Sequence, residues 1–279
     1  MLFKSFHPSG ELHPFVQDYQ VRHFLLPQHL EHSPKPYVAR PEETMAFYVR
    51  GSEATYVFSQ KKTFVRPRAV LSGLWTGRID RMSVEKEFLM LQVVFRPGGI
   101  FKLTGIPSSE IVDRYVDLAD IFPVAIRTLL NRFDDDPAYP AVIKAVDDFL
   151  LNLLRSRQPQ QFLFDNVFHL LQVNGNIRSI TNLAGEACLS LRQFERKALS
   201  YIGVPSATYQ RIARFADSFR LKVKSPHSPW FDIAVQAGYY DYQHLVRDYK
   251  AFASGTPNSI LAADQLTLER MLNLGDGYS

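Results

Sequence analysis

Between Tyr37 and Arg96 the hydrophobic positions come in short runs, TMAFYVRG, ATYVFSQ, TFVRPRAVLSG and FLMLQVVFRPGG, rich in β-branched and aromatic residues and closed by Gly, Pro and Ser. Runs of that length and composition fit pleated, half-buried strands, and their number predicts a small sandwich or barrel. After Gly99 the period lengthens. In GGIFKLTGIPSSEIVDRYVDLADIF, Ser108 and Ser109 are placed to cap a helix that Glu110 and Ile111 enter. Val124 to Phe133 and Ala141 to Leu154 then repeat apolar residues at helical intervals. The polar stretch SRQPQQ, Ser156 to Gln161, reads as a linker, and DDDP at Asp134 to Pro137 as a loop between helices rather than a metal site.

Past the linker the pattern is helical and occurs in two loose copies. In WFDIAVQAGYYDYQHLVRDYKAF, Trp230 to Phe252, the residues Ile233, Ala234 and Ala237 make a small apolar stripe. Gly238 tolerates left-handed backbone, and Leu245 and Tyr249 resume the stripe on a second helix. In ITNLAGEACLSLRQFERKALSYIGVP, Leu183, Ala184 and Ala187 precede a break at Cys188 and Leu189; Ser190 is placed to cap a new helix and Phe194 continues the apolar face. Leu183 matches Ile233, Phe194 matches Leu245, Arg196 matches Arg247, and Gly203 and Pro205 match Gly255 and Pro257. The offset grows along the alignment, as single-residue insertions in the second copy would produce. Between the copies, TYQRIARFADSFRLKV spaces Ile212, Phe215, Phe219 and Val223 as one helix joining two helix-turn-helix units.

With Phe194 turned to the core, Arg192, Glu195 and Arg196 are left on the outer face of the first unit; with Leu245 buried, Tyr242, Gln243, Val246 and Arg247 take that place in the second. A helix fits the DNA major groove, where arginine pairs with guanine, glutamine with adenine, and glutamate accepts from cytosine. Ser190, Lys197, Tyr209 and Lys250 are candidates for phosphate contacts. The charge agrees. From Asn174 to Ala262 there are eleven Lys and Arg against six Asp and Glu, a net +5 in a chain whose total is +4. A basic excess gathered there suits a phosphate backbone, although a solvated cationic surface has the same count.

DIAVQAGYYDYQHLVRDYKAF followed by GTP, and LSLRQFERKALSYIGVP followed by QRIARF, resemble the AraC-type (AraC/XylS) bacterial transcription regulators over roughly Asn174 to Ala262. The chain departs from the family pattern at Cys188, where a turn glycine is usual, at Ala198, where a core aromatic is usual, and by one extra residue between Arg247 and Gly255. The resemblance places base and backbone contacts at Arg192, Glu195 and Arg196 in the first unit and at Tyr242, Gln243, Val246 and Arg247 in the second. The first half, with FRPGGIFKLTGIPSSEI, resembles the sensing domains of many such regulators. It implies an α+β chain. A cupin-like β-barrel for sensing or dimerisation would occupy 1–105, a helical connector and linker 106–160, two helix-turn-helix units on a long helix 161–265, and a tail 266–279. The partners implied are double-stranded DNA, a small-molecule effector, a second copy of the chain, and RNA polymerase if the protein activates.

Other chemistry finds little support. No GxxxxGK[ST], GxGxxG or GxSxG motif occurs. His7, His13, His23, His29 and His32 are scattered with no HxH pair, so neither a metal site nor a cofactor is expected. The single cysteine, Cys188, excludes an intrachain disulfide framework and sits in a turn with no histidine nearby in sequence. No apolar run reaches membrane-spanning length and no signal-peptide pattern opens the chain, so a cytoplasmic location is expected. Tyr48, Tyr56, Phe58 and Trp75 are candidates to line a ligand pocket, though alternating strand aromatics are commonly plain core. The expected function is therefore regulated DNA binding. The alternatives are a cupin-like enzyme or isomerase with an accessory helical domain, and a dimer partner that binds no DNA alone.

Overall fold

The computed structural model describes residues 2–25, 34–83, 87–135, 137–159, 163–172 and 178–267. His29, His32, Asn174, the end of the linker at 160–161 and the tail beyond 267 lie outside them.

Among the described residues the first half holds ten strands: β1 (Leu2–Phe6), β2 (Val16–Leu25), β3 (Lys35–Tyr37), β4 (Glu43–Arg50), β5 (Glu53–Val57), β6 (Lys62–Val65), β7 (Ala69–Ser72), β8 (Ile79–Ser83), β9 (Glu87–Phe95) and β10 (Tyr115–Asp117). They form a six-stranded sheet, β1-β2-β9-β4-β7-β10, and a four-stranded sheet, β3-β8-β5-β6, with antiparallel ladders. Among the described residues no ladder joins the two. The barrel expected from the sequence is thus not closed: each sheet keeps two edges, and contact between the sheets is made by side chains.

The larger sheet is covered on both faces, which explains its long apolar runs. Along β4 and β9 the pleat sends Met45, Phe47, Leu89, Leu91, Val93 and Phe95 into one core. Ala46, Tyr48, Phe88 and Met90 point into a second, smaller core on the other face. Helices roof the first core: α1 (Gly99–Thr104), α2 (Leu118–Ile121), α3 (Pro123–Asp134) and α4 (Tyr139–Arg157). Their buried stripes, Ile126, Leu129 and Phe133 on α3 and Val142, Val146, Phe149 and Leu150 on α4, are the ones the periodicity predicts. Each such side chain contributes about 1.5–3 kcal/mol on burial. The helix expected to be capped by Ser108 and Ser109 is only a single 3-10 turn, Ser108–Glu110, flanked by Pro107. Ser108 spends its hydroxyl elsewhere, donating to the Tyr201 carbonyl at 3.0 Å.

The second half is helical: α5 (Leu163–Phe168), α6 (Ile180–Glu186), α7 (Leu191–Ile202), α8 (Ser206–Lys224), α9 (Trp230–Gln236), α10 (Tyr242–Ala253) and α11 (Pro257–Gln265). Its core takes in Val38, Ala39 and Leu74 from the first half, so the two halves share apolar contacts. The Ala39 amide donates to the Phe252 carbonyl at 3.3 Å and the Gly98 amide to the Tyr201 carbonyl at 3.0 Å. Gly98 has φ +78°, and a Cβ there would lie 2.3 Å from the Tyr201 ring, so only glycine permits this approach. Glu43 faces the same junction beside a small void bounded by Arg96, Ile202 and Tyr209. It is 5% exposed and neither of its carboxyl oxygens is hydrogen-bonded. Burial pushes that carboxyl up to about 8, only partly countered by neighbouring Ser108.

Candidate nucleic-acid interface

The two helix pairs expected to be helix-turn-helix units, α6 with α7 and α9 with α10, are built to the same plan. Each opens with a seven-residue helix, α6 or α9, and continues with a twelve-residue helix, α7 or α10. The first helix of each ends on an alanine, Ala187 or Ala237, followed by left-handed backbone at Cys188 (φ 54°) or Gly238 (φ 80°). The next amides, of Leu189 and Tyr239, return to the carbonyls of Ala184 and Ala234, both at 2.9 Å. Ser190 then caps α7 through the Gln193 amide, in a reciprocal capping box, and Asp241 caps α10 by accepting from the His244 amide at 2.7 Å. That amide holds the Asp241 carboxyl below its ordinary range.

One insertion, not two, separates the copies. The second unit carries an extra residue in its turn, where Tyr239, Tyr240 and Asp241 stand against Leu189 and Ser190. Beyond it the offset stays constant. The left-handed helix end falls on Gly203 (φ 77°) in the first unit and on Ser254 (φ 54°) in the second. Gly255 lies one residue later, so the match of Gly203 with Gly255 is corrected: the second helix is no longer than the first, and a serine takes the glycine's conformation.

Helix α8 holds the pair together through a stripe that buries Ile212, Phe215 and Phe219. Asp248, 4% exposed on α10, ties α10 to α8. It accepts from Arg211 at 2.7 Å and from the Tyr239 hydroxyl at 3.2 Å, with Arg214 at 3.6 Å. These partners satisfy a carboxylate that would otherwise be costly to bury. The sequence pattern did not reveal this network, because Arg211 and Arg214 read as a solvated face and their partner lies 34–37 residues on.

Phe194 and Leu245 are fully buried, and Arg192, Arg196, Gln243, Arg247 and Lys250 are exposed on the opposite faces. Tyr242 and Val246 are half-buried beside them. Lys197 is half-buried with its ammonium 5.5 Å from the centre of the Phe164 ring, and Ser190 is exposed at the α7 cap. Glu195 is engaged within the unit: its carboxylate accepts from the Ser206 amide at 3.1 Å and caps α8. Tyr209 must be withdrawn from the phosphate contacts. It is 1% exposed and its hydroxyl donates to the Pro41 carbonyl at 3.0 Å, across the junction with the first half. His244 is exposed, as expected of a residue off the buried stripe, whereas Tyr240 beside it, 90% exposed in the longer turn, was not singled out by periodicity.

Of the candidate pocket aromatics, only Trp75 lines the cavity between the sheets, with Tyr37, Arg66, Arg81, Gln92 and Tyr115 among its other walls. Tyr48 is buried nearby and donates to Glu53 at 2.7 Å. Tyr56 is 37% exposed on the outer face of β5, where it meets Phe58 edge-on at 5.0 Å, so this pair is corrected to surface packing. The pleat explains it: Glu53, Thr55 and Val57 point inward and Tyr56 outward. His23 meets Tyr139 and Glu87, and His13 meets the Pro8 carbonyl; among the described residues no three His, Cys, Asp or Glu side chains gather as metal ligands. No described helix is long and apolar enough to cross a membrane.

Two antiparallel sheets followed by a helical half, in which two similar helix pairs flank one central helix, define the architecture. Residues 4–117 match a family model described as Domain of unknown function (DUF6597). No curated protein matches the sequence. Among solved structures the chain is similar to an apo variant of ToxT from Vibrio cholerae, 14% identical, covering 89% of this chain and 98% of that one with a TM-score of 0.47. It is similar to ToxT from the same organism with an unsaturated fatty acid bound, at 13% identity, 90% and 96% coverage and a TM-score of 0.45. The AraC-like transcriptional activator CuxR shares 11% identity over 84% of each chain with a TM-score of 0.26.

Proposed function

We propose that this protein is a sequence-specific DNA-binding transcription regulator of the AraC type. Its first half would be an open relative of the cupin-like barrel acting as a sensing or dimerising domain over 1–105, with 106–160 as connector, 161–265 as the DNA-binding domain and 266–279 as tail. The observation that carries this reading is the duplicated, capped twelve-residue helix, exposing Arg196 in α7 and Arg247 in α10 at equivalent positions. Arg192, Arg196, Gln243 and Arg247 are the proposed base readers, with Tyr242 and Val246 at the edge of the second face. Glu195 belongs to this set only if it gives up Ser206. Ser190, Lys197 and Lys250 would supply phosphate contacts. Two such helices on one bridge enter successive major grooves about one turn apart, or bend the DNA.

A small molecule bound in the first half would regulate by favouring one presentation of the reading helices over another. The protein partners this function would engage are a second copy of the chain and, if the protein activates, RNA polymerase. Selection of random duplex DNA on the purified full chain at two salt concentrations tests the reading: the expected product is a recurring site of two short boxes a helical turn apart. Enrichment of no motif, with binding that only fades as salt rises, rejects it. On the selected site, Arg247→Ala is expected to cost about 1–3 kcal/mol in specific affinity while leaving binding to random DNA largely intact. Equal loss on both would remove Arg247 from the base readers.

A further inference from the structure

The cavity between the sheets carries a charge imbalance. On β5 the residues Glu53, Thr55 and Val57 point inward; the register sets Thr55 opposite Arg81 on β8, and the Arg66 amide donates to the Glu53 carbonyl at 3.0 Å. The Glu53 carboxylate accepts from Arg81 Nε and Nη2, both at 2.8 Å, and from Arg66 Nη1 at 2.9 Å. All three side chains are less than a tenth exposed. Burial alone would raise the Glu53 carboxyl, but the two guanidinium groups outweigh it and hold the group at about 2, so it stays ionised. Two cations on one anion leave a buried excess of one positive charge. The neighbouring ions do not cancel it, since Arg78 pairs with Asp80 at 2.7 Å and Glu42 faces Arg40 at 4.0 Å. An uncompensated buried charge is expensive to maintain.

The cavity beside this group points to what would compensate it. It has roughly 280 Å³ of atom-free space that includes its open mouth, with enclosed room for about one water, and Arg66, Arg81, Gln92 and Trp75 line it. Arg81 gives Nε and Nη2 to Glu53, and its Nη1 meets no acceptor among the described residues. Gln92 is 4% exposed and its side-chain oxygen has no hydrogen-bond partner. The aromatic walls are fixed: the Trp75 ring N–H donates to the Ser72 hydroxyl at 2.9 Å, and Arg66 stacks 4.1 Å from the centre of Tyr115. A guanidinium fork is suited to carboxylate and phosphate oxygens.

We propose that this cavity is an anion site, in which a compact oxyanion neutralises the Arg66–Arg81 pair while a hydroxyl or N–H of the same ligand donates to the side-chain oxygen of Gln92. The enclosed part holds about one water, so one oxygen of the charged head would take that place and the remainder of the ligand would lie in the mouth. The site gives a chemical class to the effector of the proposed regulator; its regulatory meaning rests on that reading, while its binding chemistry does not.

The test titrates the full chain with glycolate and with inorganic phosphate, against neutral glycolamide and sodium chloride at matched ionic strength, reading tryptophan emission and melting temperature. A saturable emission change, a raised melting temperature with an oxyanion and no response to glycolamide are expected, and Trp75→Phe should lose the emission change. A stronger response to glycolate assigns an organic acid, and a stronger response to phosphate assigns a phosphate. Arg81→Met should abolish the response; because that variant risks misfolding, Gln92→Leu provides the second arm. It is expected to weaken glycolate about tenfold while leaving acetate unchanged, as loss of one hydrogen bond implies. A folded protein with no saturable response, or one that responds equally to chloride, overturns the site. Saturable binding with no effect on affinity for a selected DNA site leaves the anion site standing and removes its regulatory role.

Discussion

Cys188 shows how a single residue records the demands of the backbone. It takes the left-handed conformation, φ 54°, that Gly238 takes at φ 80° in the other unit. An L side chain pays about 1 kcal/mol for that conformation. Cys188→Gly is therefore expected to raise unfolding stability by about 1 kcal/mol, seen as a higher urea midpoint; an unchanged or lower midpoint would mean that the turn carries no strain. The turn was legible in advance, because the apolar stripe breaks at Cys188 and the AraC-type resemblance sets this residue where a turn glycine is usual. The role of Tyr209 was not. Its partner is the Pro41 carbonyl, 168 residues away, and no local pattern announces a contact of that range.

At the scale of elements, the helices were the readable part, since caps and apolar stripes are written within a few residues of one another. The break at Cys188 and the cap at Ser190 both lie where the pattern places them. Strand partners are set by the whole chain, and so the number of runs predicted a β domain without revealing two open sheets. The long helix α8 adds a role that its stripe did not disclose: it meets the β domain through Tyr209. Tyr209→Phe should lower stability by about 1 kcal/mol through loss of the hydrogen bond to the Pro41 carbonyl, and leave the salt dependence of DNA binding unchanged. A salt slope reduced by about one would instead restore Tyr209 as a phosphate contact.

Across the whole molecule, Glu43 makes the junction between the halves sensitive to pH. With its carboxyl at about 8 in the folded protein against 4.5 ordinarily, the native state keeps a proton that the unfolded chain has released. The stability this contributes is full below pH 4.5 and is lost as pH rises towards 8. Glu53 works in the opposite sense: held at about 2, its contribution is full above pH 4.5 and is lost as pH falls towards 2. Glu43→Gln should flatten the decline between pH 5 and 8, by at least about 1 kcal/mol or some 2–4 °C in melting temperature. A variant that declines with pH as steeply as the parent would show that Glu43 is ionised throughout.

The packing of Val38 and Ala39 among the helices of the second half also bears on how the protein divides into parts. A cut at the linker severs the chain at a place that is not a seam in space. A fragment beginning there would leave the apolar surface around Ile202 and Phe252 facing water and would invite aggregation. A chimera that exchanges first halves between such proteins would need to carry residues 38–41 with the helices they cover, or rebuild that patch from the incoming half.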